Sequence, residues 1–187
     1  AGERIAYLED RDSIHVLDLA SGESKEVLSR EFNYSYADGD IWYSWSPDGR
    51  WLAASFAREW SNADVGIIDT TGNLPPRELV RNGFYDWSAE WSADGEMIVW
   101  MSDLLGLRRT DQNSEQSDVL ITALTQRAAD RLKMSQKDFD RLTEKEQQTT
   151  DSEATTDEGE GGEEAASEDE AAESELDFDG AERRVFR

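Results

Sequence analysis

The chain has 187 residues and a formal net charge of −24, from 43 acidic and 19 basic side chains. We do not expect so acidic a chain to bind nucleic acid by itself, because phosphate contacts need clustered Lys and Arg. It contains no cysteine, which excludes a disulfide framework and thiol chemistry. No apolar run approaches the ~18 residues of a transmembrane helix, so we expect no membrane span.

A repeat organises the first two thirds of the chain. Residues 40–49 (DIWYSWSPDG) return 46 residues later as residues 86–95 (DWSAEWSADG). A third, truncated copy opens the chain at Gly2. A fixed period in the 40s with short β-runs predicts propeller blades. The positions kept in register are interpreted as structural repeat residues: Asp40, Trp45, Ser46, Asp48 and Gly49, and Asp86, Trp91, Ser92, Asp94 and Gly95.

The turn signals predict an all-β chain of about three four-stranded blades. The first blade is partial (residues 1–30), the second covers residues 40–80, and the third begins at residue 86. Asp-Gly between apolar runs favours hairpins, because Gly accepts the positive φ of their turns. In the second blade we expect strands at 41–46, 51–56, 65–69 and 77–80.

Such a set of blades is smaller than a whole propeller, whose rings have about 4 to 8 blades. Each blade buries its faces against its neighbours. We therefore expect the chain to be a segment of a larger protein, with two apolar blade faces that further blades would cover.

The third copy contains the longest loop between its second and third strands. This loop, residues 103–116, carries Arg108 and Arg109. We expect it to line the mouth of the ring, where the two guanidinium groups would hold the C-terminal carboxylate of a peptide by bidentate pairing.

The fourth strand of the third blade is delayed by an insertion. Residues 125–148 are rich in helix formers, and residues 135–138 resemble a capping box, so this part is predicted to be helical. Residues 149–175 form an acidic linker predicted to be disordered, because it lacks aromatic and large aliphatic side chains. Residues 176–187 are expected to supply the return strand.

No catalytic constellation is visible in the sequence. The single histidine, His15, lies on a predicted strand and is expected to be exposed there. The aspartates of residues 10–12 and 38–40 lack the further ligands of a calcium loop. We therefore predict no catalytic residue, metal or cofactor in this chain.

The tryptophans divide into two groups. Trp45 and Trp91 occupy the same repeat position, which favours packing beside the turn. Trp42, Trp60 and Trp87 lie outside the shared pattern and are better candidates for an exposed surface.

Several blocks carry a family resemblance. Residues 45–55 (WSPDGRWLAAS) and 91–100 (WSADGEMIVW) look like the WD40-like (PD40) repeats of TolB-type propellers. Together with residues 64–69 (DVGIID), the charged helices and residues 176–180 (LDFDG), they are similar to the propeller region of bacterial tricorn-like serine proteases of the S41 peptidase family. The resemblance covers nearly the whole chain.

The resemblance implies an oligomeric, multidomain serine peptidase, with a PDZ domain and a catalytic domain outside this segment. The segment itself would be non-catalytic and would act in peptide access and domain scaffolding. Its partners would be peptides or unfolded polypeptides, the remaining blades, and the PDZ and protease domains. Relatives of this kind are periplasmic or cytoplasmic.

Two alternatives remain open from the sequence. One is a TolB-like protein-binding propeller that is attached to no enzyme, with the acidic insertion as its docking element. The other is the propeller of a prolyl-oligopeptidase-type enzyme, whose flanking sequence would carry Gly-x-Ser-x-Gly.

Overall fold

A computed structural model of the chain describes residues 2–33, 41–59, 62–104, 117–154 and 176–187. The strands and helices are bounded as follows: β1 Arg4–Glu9, β2 Ser13–Asp18, β3 Ser24–Leu28, β4 Tyr43–Trp45, β5 Trp51–Glu59, β6 Asn62–Asp69, β7 Arg77–Glu78, β8 Asp86–Trp91, β9 Met97–Ser102, β10 Asp118–Ala123, β11 Val185–Phe186, α1 Gln126–Lys133 and α2 Gln136–Ala154.

The strands form three antiparallel sheets that follow one another in the chain. Blade 1 has the order β1-β2-β3, blade 2 the order β4-β5-β6-β7, and blade 3 the order β8-β9-β10-β11. Counting from the repeat glycines shows that β1 is equivalent to β5 and β9, so blade 1 begins at the second strand of the repeat. The predicted fold class, an all-β partial propeller with a helical insertion, is confirmed.

Blade 2 is buried on both faces because its strands alternate. On β5, Leu52, Ala54 and Phe56 pack with blade 1, whereas Trp51 and Ala53 pack with blade 3. Side chains from both neighbours complete two separate apolar clusters. Full burial of one large apolar side chain stabilises a fold by about 1.5–3 kcal/mol, and each of these two clusters buries several such side chains.

The blades have two distinct ends, which we call lower and upper. The lower end carries the turns that join the first to the second strand and the third to the fourth. The upper end carries the loop between the second and third strands and the links between blades. The long loop that begins at Asp103 therefore lies at the upper end of blade 3, and the insertion leaves from its lower end.

The insertion departs from blade 3 and returns to the same place. Asp177 N donates to Leu124 O at 2.8 Å, and Ala123 N donates to Arg184 O at 3.0 Å. After this return, β11 pairs with β10 as the fourth strand. The Phe178 ring meets the Trp51 ring edge to face, with centroids 5.0 Å apart, so the returning segment joins the cluster between blades 2 and 3.

Helix α1 begins the insertion and lies on the lower part of blade 3. Thr125 caps it, because its Oγ1 accepts from Ala128 N at 3.0 Å. The guanidinium of Arg127 pairs with the carboxylate of Glu96 beside the first turn of blade 3. Ala128 and Ala129 pack on the sheet, so α1 covers part of the face that blade 3 turns away from blade 2.

Helix α2 begins at the predicted capping box, where Asp138 N donates to Ser135 Oγ at 3.3 Å. It continues through Ala154, further than the predicted helical limit at residue 148. Neither helix in the described part of the chain is long and apolar enough to cross a membrane.

One close approach inside blade 2 gives a test of the packing between blades 1 and 2. A Cβ on Gly66 would lie 2.3 Å from Cε2 of Phe56, and both residues are in the protein interior. We expect Gly66→Ala to lower the free energy of unfolding by about 1–3 kcal/mol through overpacking. Urea denaturation would measure this loss.

The control for Gly66→Ala is a second-site change. Phe56→Leu replaces the ring that the new methyl group meets with a smaller side chain. It should therefore lower the free energy of unfolding less in the Gly66→Ala background than in the wild type. Strictly additive losses would contradict the proposed clash.

Candidate functional site

Two copies of the repeat build the same turn at the lower end. Ser46 Oγ donates to Asp48 Oδ1 at 2.5 Å and accepts from Trp51 N at 2.9 Å. Gly49 completes the turn with a φ of 70°, a conformation that glycine adopts without strain. The hydroxyl and carboxylate are thus engaged within the hairpin.

In blade 3 the equivalent atoms repeat the arrangement. Ser92 Oγ lies 2.5 Å from Asp94 Oδ1 and accepts from Met97 N at 3.0 Å. Gly95 has a φ of 73°. Hydrogen bonds from Ser92 and from the Glu96 amide outweigh partial burial and hold the pKa of Asp94 below its ordinary value.

The paired tryptophans pack on opposite sides of blade 2. Trp45 lies against the cluster between blades 1 and 2, and Trp91 against the cluster between blades 2 and 3. Asp40, the remaining repeat residue of the second copy, lies outside the described residues, as does Trp60.

Asp86 has a different environment from the turn residues. It opens β8 and is completely buried. Ser102 Oγ donates to its Oδ1 at 2.5 Å, and Asn82 Nδ2 donates to its Oδ2 at 2.9 Å. The sequence marks Asp86 only as a repeat position and gives no sign of Asn82 or Ser102 as its partners.

A bulge in β8 turns the side chain of Asp86 towards the contact between blades 2 and 3. Trp87 is opposite Met101, but the next pair along the strand is Glu90 with Val99. Ser88 takes a φ of 53° at the irregularity. Because a bulge shifts the alternation of side chains, Asp86 is brought to the same side as Ala89, towards blade 2.

Burial raises the pKa of Asp86 to about 7, against the opposing hydrogen bonds from Ser102 and Asn82. The carboxylates of Asp64 and Asp103 add to the increase. Asp103 Oδ1 accepts from Tyr85 N at 2.8 Å. Asp86 therefore lies where blade 2, the link between the blades and the beginning of the long loop meet.

Three aromatic residues lie on or just before β4 and β8, and we call the edge of the blades formed by these two strands the inner edge. The strands β4 and β8 are the first strands of their blades and are joined by Ser44 Oγ, which donates to Ala89 O at 2.8 Å. Trp42, just before β4, is 52% exposed, and Tyr85, just before β8, is 44% exposed. The Tyr85 and Trp87 ring centroids are 5.3 Å apart.

This inner edge is suited to holding side chains of another polypeptide. Aromatic faces provide apolar contact and attract cations, and Glu90 is exposed on the same strand. We call Trp42, Tyr85, Trp87 and Glu90 the inner-edge group.

The surroundings of His15 do not form a catalytic triad. Its Nε2 is 2.9 Å from Glu9 Oε2 and 3.4 Å from Ser13 Oγ. A triad needs the acid on one ring nitrogen and the nucleophile on the other, whereas here both partners approach Nε2. The ring also stacks on Tyr7 at 5.5 Å, so His15 is largely covered, and the prediction of an exposed histidine is wrong.

Among the described residues, no group of three His, Cys, Asp or Glu side chains is arranged to hold a metal ion. Arg108 and Arg109 lie outside the described residues. The structure shows only the ends of their loop, which are at the upper end of blade 3.

Comparison with known proteins identifies the fold. No protein-family model matches the sequence, and no curated protein matches it. Among solved structures, the tricorn protease aligns with a TM-score of 0.59 and 14% identity over 99% of this chain and 16% of the tricorn chain. At this identity the likeness shows a common propeller fold and no more.

TolB structures also align. The putative TolB of Agrobacterium tumefaciens has a TM-score of 0.48 and 19% identity over 66% of this chain and 42% of its own. TolB of Acinetobacter baumannii has a TM-score of 0.46 and 18% identity over 65% of this chain and 27% of its own. This chain thus spans less than half the length of each matched protein.

The buried carboxyl group of Asp86 predicts a specific dependence of stability on pH. Its pKa in the folded state is raised from 3.8 to about 7, so the folded state keeps a proton that the unfolded state releases. The stabilising contribution is fully present below pH ~4 and is lost as the pH rises to ~7. The shift corresponds to at most about 4 kcal/mol.

Asp86→Asn tests this linkage, because an amide fills the same space and does not ionise. Denaturation between pH 4 and 8 should show the variant gaining about 1–3 kcal/mol relative to the wild type as the pH rises. Asp140→Asn, on the exposed surface of α2, is the matched control and should run parallel to the wild type. A parallel curve for Asp86→Asn would show that Asp86 ionises normally.

Proposed function

We propose that this chain is a non-catalytic propeller segment that binds polypeptide, and that it serves peptide access and domain scaffolding in a tricorn-like serine peptidase. The inner-edge group supports the first part of the proposal, the binding of polypeptide. Exposed aromatic side chains at the inner strands of neighbouring blades offer a surface for an extended peptide.

The charge of the chain supports a cationic or neutral partner. With a net charge of −24, the protein repels anions at long range and attracts basic peptides. Glu90 and the aromatic faces of the inner-edge group would then meet Lys or Arg side chains directly.

The peptidase half of the proposal is supported by the sequence blocks that resemble the tricorn-like family and by a common fold over 99% of the chain. The chain covers 16% of the tricorn protease, so the catalytic work is assigned to other parts of such a protein. The arrangement at His15 is consistent with this division, because Ser13 and Glu9 share one ring nitrogen.

Peptide binding is tested with fluorescently labelled, unstructured peptides of basic and acidic composition. We expect the basic peptide to bind more tightly, and Trp42→Ala or Tyr85→Ala to weaken its binding about tenfold, since each removes an exposed aromatic contact. Leu74→Ala is the control, because Leu74 is 51% exposed but lies in a turn at the lower end. Equal affinity in all three variants would exclude the inner edge as the binding surface.

The same peptides test the loop arginines. If Arg108 and Arg109 hold the terminal carboxylate, C-terminally amidated peptides bind more weakly than free ones. Arg108→Glu with Arg109→Glu should remove this difference.

Attachment to a serine peptidase is tested in the source organism. An antibody against this segment is used on extracts labelled with a serine-reactive fluorophosphonate. We expect a labelled band far heavier than the 21.1 kDa of this chain. A heavy band that does not label would favour a protein-binding propeller without an enzyme, and would leave the peptide-binding result intact.

A further inference from the structure

Asp86 directly follows the exposed Tyr85, and both residues are attached to the end of β9. Tyr85 N donates to Asp103 Oδ1 at 2.8 Å, and Asp103 N donates to Tyr85 O at 3.2 Å. The hydroxyl of Ser102 donates to Asp86 Oδ1 at 2.5 Å. Two successive residues of blade 3 therefore hold the buried carboxyl group and the exposed aromatic residue beside it.

The link that leads into β8 depends on the same carboxyl group. Asn82 Nδ2 donates to Asp86 Oδ2 at 2.9 Å, and Asn82 Oδ1 accepts from Phe84 N at 2.8 Å. Tyr85 also forms a parallel bridge with Ala63 near the beginning of β6. The backbone that carries the Tyr85 ring is thus held by Asp86 on one side and by blade 2 on the other.

The backbone just after Asp86 has a conformation that its surroundings must maintain. Ser88 takes a φ of 53°, in the left-handed region that serine seldom adopts. Residues in such conformations keep them where neighbouring contacts determine the geometry. Asp86 is two residues away and completely buried, so its hydrogen bonds are among the contacts that hold this irregular start of β8.

Ionisation of Asp86 would disturb this arrangement. Burial raises its pKa to about 7, and the carboxylates of Asp64 on β6 and Asp103 after β9 act in the same direction. An ionised Asp86 would therefore place a third negative charge beside two others in a region that excludes water. One of the two is Asp103, which binds both backbone groups of Tyr85.

The other charged groups of the surrounding elements do not offset this repulsion in the described part of the chain. The strands β4 and β9 contain no charged residue. The remaining charges are directed elsewhere or have side chains outside the described part: Glu90 on β8 is exposed, Asp69 binds the turn at the other end of β6, Arg81 in the link is exposed and lies 3.9 Å from Glu78, and the side chains of Arg58 and Glu59 at the end of β5 are not described.

We propose, on the basis of the proposed binding of polypeptide by the inner-edge group, that Asp86 is a positioning residue for Tyr85 and that the group binds peptide when Asp86 is protonated. When Asp86 ionises, repulsion from Asp64 and Asp103 and the attraction of water to the new charge shift the contact that holds Tyr85. The Tyr85 ring then leaves the position in which it meets the peptide, and affinity falls.

The affinity of the whole chain for a basic peptide between pH 5 and pH 8 tests the proposal. Arg is the only charged residue of the peptide and its ends are blocked, so its charge is constant over this range. If only the protonated form binds, the Kd follows the protonated fraction of Asp86. With a pKa of about 7, the Kd should rise about tenfold from pH 5 to pH 8. Circular dichroism at each pH verifies that the chain stays folded.

The direction of this change separates positioning from simple attraction between charges. Loss of a proton makes the chain more acidic, which by itself would strengthen the binding of a basic peptide. Weaker binding at pH 8 is therefore the result expected from displacement of Tyr85. An affinity that is constant or increases with pH would overturn the proposal.

Variants identify the residue that titrates and the residue on which it acts. Asp86→Asn does not ionise and keeps polar atoms for both of its partners, so its Kd should be the same at pH 5 and pH 8. Tyr85→Ala lacks the ring that moves, so its remaining affinity should also be independent of pH. His15→Gln is the control, because histidine ordinarily titrates in this range but His15 lies on blade 1. A pH-dependent Asp86→Asn or Tyr85→Ala would overturn the proposal.

A measurement without peptide distinguishes failure of this proposal from failure of the proposed function. The ring centroids of Trp87 and Tyr85 are 5.3 Å apart, so the ¹⁹F resonance of Trp87 in chain labelled with 5-fluorotryptophan reports the position of Tyr85. Trp87→Phe assigns this resonance. We expect it to move with a midpoint near pH 7 in the wild type and to stay fixed in Asp86→Asn.

The two measurements together have distinct outcomes. If the Trp87 resonance moves with pH but no peptide binds, the proposed function is wrong and the positioning of Tyr85 by Asp86 is supported. If peptide binds through the inner-edge group while the resonance and the Kd are both independent of pH, the positioning is wrong and the proposed function stands.

Discussion

Burial of blade 2 on both faces, against blade 1 and blade 3, is the constraint on which the rest of the structure depends. A half-buried strand needs one apolar side, but β5 uses alternate residues for two different clusters, with Leu52 towards blade 1 and Ala53 towards blade 3. No blade of this kind is stable alone, because its apolar surface is divided between two neighbours. The fold is therefore stabilised by the contacts between successive blades more than by any single hairpin.

Much of this architecture could be predicted from the sequence, because the repeat positions are the ones that shape the blades. The Trp-Ser-x-Asp-Gly pattern predicts the first hairpin of blades 2 and 3, since hydroxyl, carboxylate and glycine are all used in the turn. The departure in blade 3 also has a signal in the sequence. Asp18 and Asp69 end β2 and β6, which are the third strands of the repeat, and their carboxylates accept hydrogen bonds from backbone amides of the following turn. The equivalent position in blade 3 is Ala123, where the insertion begins.

The candidate site was less predictable, because its features depend on contacts between blades. Asp86 looks like the other repeat aspartates, yet a bulge at Ser88 directs it into the joint with blade 2. No local pattern indicates that displacement, nor the pairing of Asp86 with Asn82 and Ser102. Similarly, His15 has alternating apolar neighbours typical of an exposed strand position, but Glu9 and Tyr7 cover it from adjacent positions of the sheet.

The two ends of the insertion lie close together, which affects how far its length and sequence can vary. Leu124 and Asp177 are linked by a backbone hydrogen bond, so the blade is complete whatever connects them. Loop-closure entropy grows only logarithmically, and each doubling of the connecting length costs about 0.6 kcal/mol. The part of the insertion that follows α1 can therefore lengthen, shorten or be replaced at little cost in stability to the propeller, which makes it a suitable place to insert an additional folded domain.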